Sequence, residues 1–463
     1  MKKPEVQNLT GNSADVVNAI RNNSSDAFKR AIPAVDQSTE SIRAFGQALL
    51  DDNNKAYLYE FMPQLWERIG MVVINSKVWS DPLAWTQRGT LELGESIEEI
   101  VIGLLEAHTY NPEVASKRWM EIERADVYAV LHKLNYRIFY KQTINNQELR
   151  RYFISWNGVT DLIANLTNAM YNSMRYDLYL ATKYMICWDI LSGRMATVAV
   201  PQATTDENLT DIAVQLRALS NKLPIYSTDY NFMGVPTFSN KSDQYLFITA
   251  DFSAKLDVKI YSASFHMDKA DFEFFGRRVL IDGFDVFDWR RLDKVFGENP
   301  NYRRFTEAEL QQLKEIPAVL VDRQYFMIFD NMQTFTTDYN GEGLYWQYWL
   351  HVWKLFSTSP FQTAIAFVPE EGTITGVTVS PATYTLARME RIQLHAEVES
   401  TGLINTGIKW EIDSTISNVT NNGLVVVGQE ESAATLTVTA TSVADNTKVG
   451  TAVITVSNPV PKA

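Results

Sequence analysis

The strongest pattern in the chain is a run of helical periodicity over residues 159–192. Its 34 residues include neither Gly nor Pro, and its apolar positions recur every three or four residues. At about 1.5 Å per residue the run predicts a helix roughly 50 Å long, which Gly193 can end. The residues that we assign to the buried stripe of this helix are Leu166, Met170, Met174 and Tyr184.

Other segments alternate with the period of a β-strand. Residues 74–107 do so around a central glycine, which predicts an extended hairpin. Trp79 and Trp85 lie in it, and we interpret them as interface anchors, because a solvated loop does not need large aromatic side chains. Residues 343–356 place large side chains on both faces and are followed by the apolar segment 363–368. Both strands are therefore predicted to be covered on both faces.

The composition changes near residue 370. From 373 to 457 Thr, Val and Ser replace the aromatic residues, and short alternating strands follow one another every ~8–12 positions, as in a small β-sandwich. Pro369 to Gly372 predicts an exposed linker in front of a separable domain.

Five stretches of this segment resemble a bacterial immunoglobulin-like domain of the second group: VSP (379–381), QLHA (393–396), KWE (409–411), NGLV (422–425) and AVITV (452–456). The resemblance implies that Trp410 is the buried core tryptophan.

Composition narrows the classes of function. The net charge is −13, with 42 Lys and Arg against 55 Asp and Glu, and pairs such as Arg303 and Arg304 are the largest basic groups. Phosphate contacts need clustered cations, so tight nucleic-acid binding is disfavoured. The single cysteine, Cys187, is predicted to be a buried thiol. The first residues lack the apolar stretch of a secretory signal, which favours synthesis in the cytoplasm.

Enzyme motifs are not found in the sequence. Phosphate-binding loops, nucleophile elbows and zinc-binding spacings do not occur, and the five histidines are scattered. Two carboxylate groups, one at Glu95, Glu98 and Glu99 and one at Asp282 and Asp285, could form an acid–base pair. We interpret the first as a solvated face and the second as a turn. The chain is thus predicted to be no enzyme and to hold no metal or cofactor.

Longer segments of the body carry a second resemblance: DVVNAIRNN (15–23), ERIGMVVI (67–74), SIEEI (96–100), YKQTINNQELRRYFISWNG (140–158), NAMYNSM (168–174), VLIDGF (279–284), AVLVDRQYFMIFDN (318–331) and GLYWQYWLHVWKLF (343–356). In the same order they are similar to segments of the major capsid proteins of phi-twenty-nine-like podoviruses, and the likeness runs through most of residues 15–370. That family also has an immunoglobulin-like domain after the body.

The resemblance implies an α+β capsid body with a Hong Kong ninety-seven-like fold and an all-β immunoglobulin-like sandwich. The implied parts are an N-terminal arm and helix (1–73), an extended hairpin loop (74–107), a peripheral domain (108–199) with the spine helix 159–192, an axial domain (200–335), return strands of the peripheral domain (336–369) and the immunoglobulin-like domain (373–457). Residues 288–315 are longer than the corresponding family connection, which predicts a helical surface insertion.

The function implied by the resemblance is self-assembly into the pentamers and hexamers of a phage head, icosahedral or prolate, around double-stranded DNA that is not bound specifically. The implied partners are other copies of the chain, a scaffolding protein, a portal and a head fibre protein, and the implied location is the virion. One alternative is a bacterial surface adhesin with an immunoglobulin-like module, which the missing signal disfavours. Another is an enzyme with an accessory sandwich.

Overall fold

A computed structural model describes residues 13–36, 38–51, 54, 56–61, 64–65, 79–91, 94, 96–105, 107, 125–145, 156–263 and 277–458. The contacts divide the chain into two units. Unit 1 comprises residues 1–84, 134–179 and 330–354, and unit 2 comprises 85–133, 180–329 and 355–463.

The helices include α1 (Ser13–Asn23), α2 (Asp26–Ala31), α3 (Thr39–Leu49), α4 (Trp156–Leu191), α5 (Asp206–Lys222), α6 (Ala250–Ala263), α7 (Trp289–Phe296) and α8 (Glu307–Lys314). Helix α4, with 36 residues, confirms the long helix predicted over 159–192. It ends just before Gly193, whose φ of 69° favours glycine. No helix in the described part of the chain is long and apolar enough to cross a membrane.

The strands of the body are β1 (Gln87–Thr90), β2 (Ser96–Ile102), β3 (Val127–Lys133), β4 (Tyr136–Asn145), β5 (Ala196–Ala199), β6 (Gln244–Thr249), β7 (Arg277–Ile281), β8 (Ala318–Asp322), β9 (Phe326–Asn340), β10 (Tyr345–Thr358) and β11 (Ala364–Val368). They form a four-stranded sheet in the order β1-β9-β10-β4, a five-stranded sheet in the order β5-β11-β8-β6-β7, and a hairpin of β2 with β3.

The hairpin expected over 74–107 has the wrong boundaries. Within the described residues β2 pairs with β3, and β1 joins β9 instead of pairing with β2. Residues 74–78 lie outside the described residues. The alternation of residues 98–101 predicted a strand there, and β2 confirms it. Alternation carries no information about which strand is the partner.

The paired strands β4 and β10 have two different faces. On β10 the alternate residues Trp346, Tyr348, Leu350 and Val352 are buried, while the residues between them are half-buried. The prediction that both faces of 343–356 are covered thus holds fully for one face only. The other face is partly covered by cations of β4, since Arg137 lies over the ring of Trp353 and Lys141 over that of Trp349.

The five-stranded sheet has the apolar core predicted for 363–368. Every residue of β11 is buried, and so is every residue of β8 beside it. Helices α5 and α6 contribute to the same core through Leu209, Ile212, Leu216, Phe252 and Leu256. A central strand that is apolar throughout needs such cover on both faces.

The segment 288–315, predicted to be a helical insertion, forms helices α7 and α8. A capping box starts α8, because Thr306 and Glu309 satisfy each other's backbone N–H groups. Arg303 pairs with Glu309 and Arg304 with Asp293, so each arginine of this basic pair has a carboxylate partner within the insertion.

The C-terminal strands are β12 (Thr373–Ser380), β13 (Thr383–Leu386), β14 (Arg391–Gln393), β15 (His395–Thr401), β16 (Ile408–Ile412), β17 (Asn418–Val419), β18 (Leu424–Val426), β19 (Thr435–Ser442) and β20 (Val449–Val456). We call them the C-terminal domain. They enclose a core with Leu394, Val425, Leu436, Val438 and Ile454 at its centre, each with no exposed surface. The immunoglobulin-like assignment itself stays a prediction.

Trp410 is less buried than expected, and the linker is exposed but hydrogen-bonded. Trp410 packs against the core of the C-terminal domain but is only half-buried, because its position on β16 lies at the rim of the core. The segment in front of the domain is exposed at Glu370 and Glu371, as predicted. It is also hydrogen-bonded, since Glu371 forms a β-bridge with Leu403 and the Gly372 N–H donates to the Leu403 carbonyl at 2.8 Å.

Candidate assembly interface

The hairpin of β2 and β3 presents two chemically different faces. The strands are antiparallel with Ile100 opposite Ala129 and Ile102 opposite Val127. Their pairing extends to Gly103, whose N–H donates to the Asp126 carbonyl at 2.7 Å. Because side chains alternate across a strand, each face of the hairpin contains every second residue of both strands.

The outer face is apolar and exposed. Its large side chains are between 54 and 67% exposed: Ile100, Ile102, Val127 and Leu131. Glu98 and Lys133 at the root are the charged residues of the same face. Several large apolar side chains exposed on one face of a hairpin are typical of a protein–protein contact.

The inner face is polar at its root and held to the body. His132 is buried, with Nδ1 2.7 Å from Ser357 Oγ and Nε2 3.2 Å from Glu99 Oε2. The hydroxyl of Ser359 donates to the other oxygen of Glu99 at 2.7 Å. These four residues, which we call the clasp, join both strands of the hairpin to the end of β10 and the residue that follows it.

A serine, an imidazole and a carboxylate in this order occur in hydrolases. Here the imidazole of His132 is 3% exposed, and both oxygens of Glu99 are already engaged. A substrate therefore has no route to the imidazole, and the clasp has a structural role. Glu99 was interpreted from the sequence as solvated, which is wrong, because its side chain is only 11% exposed.

The clasp predicts a measurable stability effect. His132→Leu should lower the free energy of unfolding by about 1–3 kcal/mol, because it removes the hydrogen-bond partner of Glu99 Oε2 and of the half-buried Ser357 hydroxyl. Denaturant unfolding followed by tryptophan fluorescence measures it. The control His395→Leu changes an exposed histidine and should stay within about 0.5 kcal/mol. Equal stability of the two variants would show that the clasp contributes nothing.

The two tryptophans assigned to the interface lie outside the hairpin of β2 and β3. Trp85 stacks on Tyr245 with ring centroids 3.5 Å apart and also contacts Phe326, so its ring is used within its own chain. Trp79 meets Tyr176 and Tyr179 edge-on and keeps 39% of its surface exposed. A role of Trp79 at an interface stays a prediction.

The residues assigned to the spine helix lie at different depths. Met170 and Met174 are buried, while the side chain of Leu166 lies outside the described residues. Tyr184 is half-buried and stacks on Phe305, with ring centroids 4.9 Å apart. Cys187 is fully buried, as predicted, and burial raises the pKa of its thiol.

The sequence analysis missed the apolar outer face and the clasp. A signal was present, because SIEEIVI (96–102) carries isoleucine on both faces, and VYAVLHK (127–133) also carries apolar side chains on both faces.

Residues that could hold a metal ion were not predicted, and no group of three or more His, Cys, Asp or Glu suited to one is found in the described ranges.

Comparison with known proteins shows to which class of protein the chain belongs. The family model described as Phi29-like phage major capsid protein matches residues 17–368. The chain is 34% identical over 456 residues to the major capsid protein of Bacillus phage B103, covering 96% of this chain and 94% of the relative. It is 32% identical over 454 residues to that of Bacillus phage PZA, with the same coverage. A solved capsid structure of Staphylococcus phage Andhra aligns with a TM-score of 0.49 at 16% identity, over 64% of this chain and 86% of that one.

The family and its relatives define a structural protein of bacteriophage capsids. The chain belongs to the Phi29-like phage major capsid protein family, which confirms the resemblance seen over residues 15–370. This is a family of structural proteins and not of enzymes. As a member, the chain assembles with copies of itself into the capsid and is part of the virion.

Proposed function

We propose that the chain forms the pentamers and hexamers of a tailed-phage head, icosahedral or prolate, that encloses double-stranded DNA. The observation that carries this proposal is the exposed apolar face of the hairpin, which a solitary soluble chain would not retain. Each copy offers this face to a different surface of the next copy. Such heterologous contacts close into rings when their rotation allows it.

The body is proposed to have the Hong Kong ninety-seven-like fold. Supporting features are the long helix α4, the five-stranded sheet with α5 and α6, and a two-stranded hairpin. We assign them to the spine helix, the axial domain and the extended loop of that fold, with residues 96–133 as the extended loop. The C-terminal domain is proposed to be the immunoglobulin-like sandwich.

The negative net charge of the chain is compatible with a capsid shell around DNA. A net charge of −13 gives little affinity for DNA, and a shell that bound DNA tightly would hinder its packaging and release. Assembly in the host cytoplasm, with a scaffolding protein, a portal and a head fibre protein as partners, is part of the same proposal.

Electron microscopy of the purified full chain at rising concentration tests the proposal. We expect rings of five or six subunits, tubes or closed shells, because each chain carries its own adhesive face. Monomers that persist at high concentration in all buffers, with and without a scaffolding protein of the family, would contradict it.

A further inference from the structure

The C-terminal domain is fastened to the body by its segment 403–407. The Thr406 N–H donates to the Gly193 carbonyl at 2.8 Å, and Asn405 Nδ2 donates to the Asn231 carbonyl at 3.2 Å. Asn405 is buried, as are Leu403 and Ile404. Buried hydrogen bonds to backbone groups fix both position and orientation, because a shift would leave those groups without partners.

Two glycines allow this contact to be close. A Cβ atom at Gly193 would lie 2.5 Å from the Ile404 carbonyl oxygen, and one at Gly407 would lie 1.7 Å from the Phe232 carbonyl oxygen. Neither distance is sterically possible, so at these two glycines the backbone of the body and that of the C-terminal domain are in direct contact. A flexibly tethered module would not need such a fit.

The same domain also contacts strand β3 of the hairpin. Asn421 Nδ2 donates to the Ala129 carbonyl of β3 at 3.5 Å. Tyr128, the neighbouring residue on β3, interacts electrostatically with Lys409 and Glu411. These two residues form an ion pair with each other at 2.8 Å. The domain therefore touches the middle of the hairpin, beyond the clasp at its root.

We propose that the C-terminal domain is a brace that fixes the direction of the hairpin. A two-stranded hairpin is marginally stable alone and can pivot about its root. The clasp fixes the root, and a second contact from a domain locked to the body removes the pivot. The brace presents the apolar outer face at one angle, so the domain serves assembly from within its own chain. This inference rests on the proposed function only in taking the outer face of the hairpin to be the assembly contact.

Hydrogen–deuterium exchange of the dilute, unassembled full chain tests the brace. Gly407→Val should displace the domain, because its side chain would collide with the Phe232 carbonyl. We expect the amides of β2 and β3 to exchange about 10-fold faster or more, as local opening becomes easier, and those of β6 and β8 to stay within about twofold. The control Gly376→Val places a side chain where the nearest atom is 3.6 Å away and should leave the hairpin unchanged.

A second variant removes the contact without displacing the domain. Lys409→Ala with Asn421→Ala should also speed exchange in β2 and β3, compared with the paired control His395→Ala with Glu397→Ala on an exposed strand of the same domain. This variant decides the matter if Gly407→Val fails to fold. Unchanged hairpin exchange in the folded variants would overturn the brace, and it would leave the proposed assembly function standing, since exchange is measured without assembly.

Discussion

Replacing Ile100 and Leu131 by serine is expected to give a folded chain that forms no shells. Each side chain is more than half exposed on the outer face of the hairpin, so its loss costs the isolated chain little. Burying one such side chain at an interface contributes about 1.5–3 kcal/mol. Losing about 3 kcal/mol at each contact weakens it roughly 100-fold. Electron microscopy and sedimentation of the variant beside the wild type measure the loss.

The matched control is Val214→Ser on helix α5. Val214 is 60% exposed, which is comparable with Ile100 and Leu131, but it lies outside the hairpin. It should assemble like the wild type. Shells of normal size and yield from the Ile100→Ser, Leu131→Ser chain would remove the hairpin face from the assembly contact.

Met170→Asp is expected to destabilise the chain by about 3–5 kcal/mol, because it places an unpaired carboxylate where Met170 is 2% exposed and also removes apolar packing. Thermal unfolding and the soluble yield after expression measure the effect. The neighbouring Ala169 is exposed on the same helix, so Ala169→Asp adds the same charge at the surface. This control should lose no more than about 0.7 kcal/mol, the difference in helix propensity between the two residues. Equal melting temperatures for the two variants would show that this stripe of α4 is not core.

Helix α4 and the hairpin show what the sequence could reveal. The helical period of α4 is a local property, so both ends were predicted to within three residues. The partner of β2 begins only after a further 24 residues, and a strand's alternation fixes its faces but not its partner. The predicted hairpin boundaries failed for that reason.

Polar and aromatic residues whose partners lie far away along the chain are also hard to interpret from the sequence. Glu99 is close in sequence to Glu95 and Glu98, a group of carboxylates that is typical of a solvated face. Only His132 and Ser359, 33 and 260 residues away, give its side chain hydrogen-bond partners inside the chain. The sequence predicts an interface anchor at Trp85 because a solvated loop does not need a large aromatic side chain. Its stacking partner Tyr245 is far away along the chain, so the sequence alone does not reveal that contact. Large aromatic residues indicate that a contact exists, without telling whether it lies within one chain or between chains.

The apolar outer face of the hairpin also makes the strength of association between chains depend on temperature. Water ordered around exposed Ile, Leu and Val side chains is released when two such surfaces meet, so the drive for association is largely entropic near 25 °C. That drive weakens on cooling. A particle joined mainly through this face would therefore be held together least firmly in the cold.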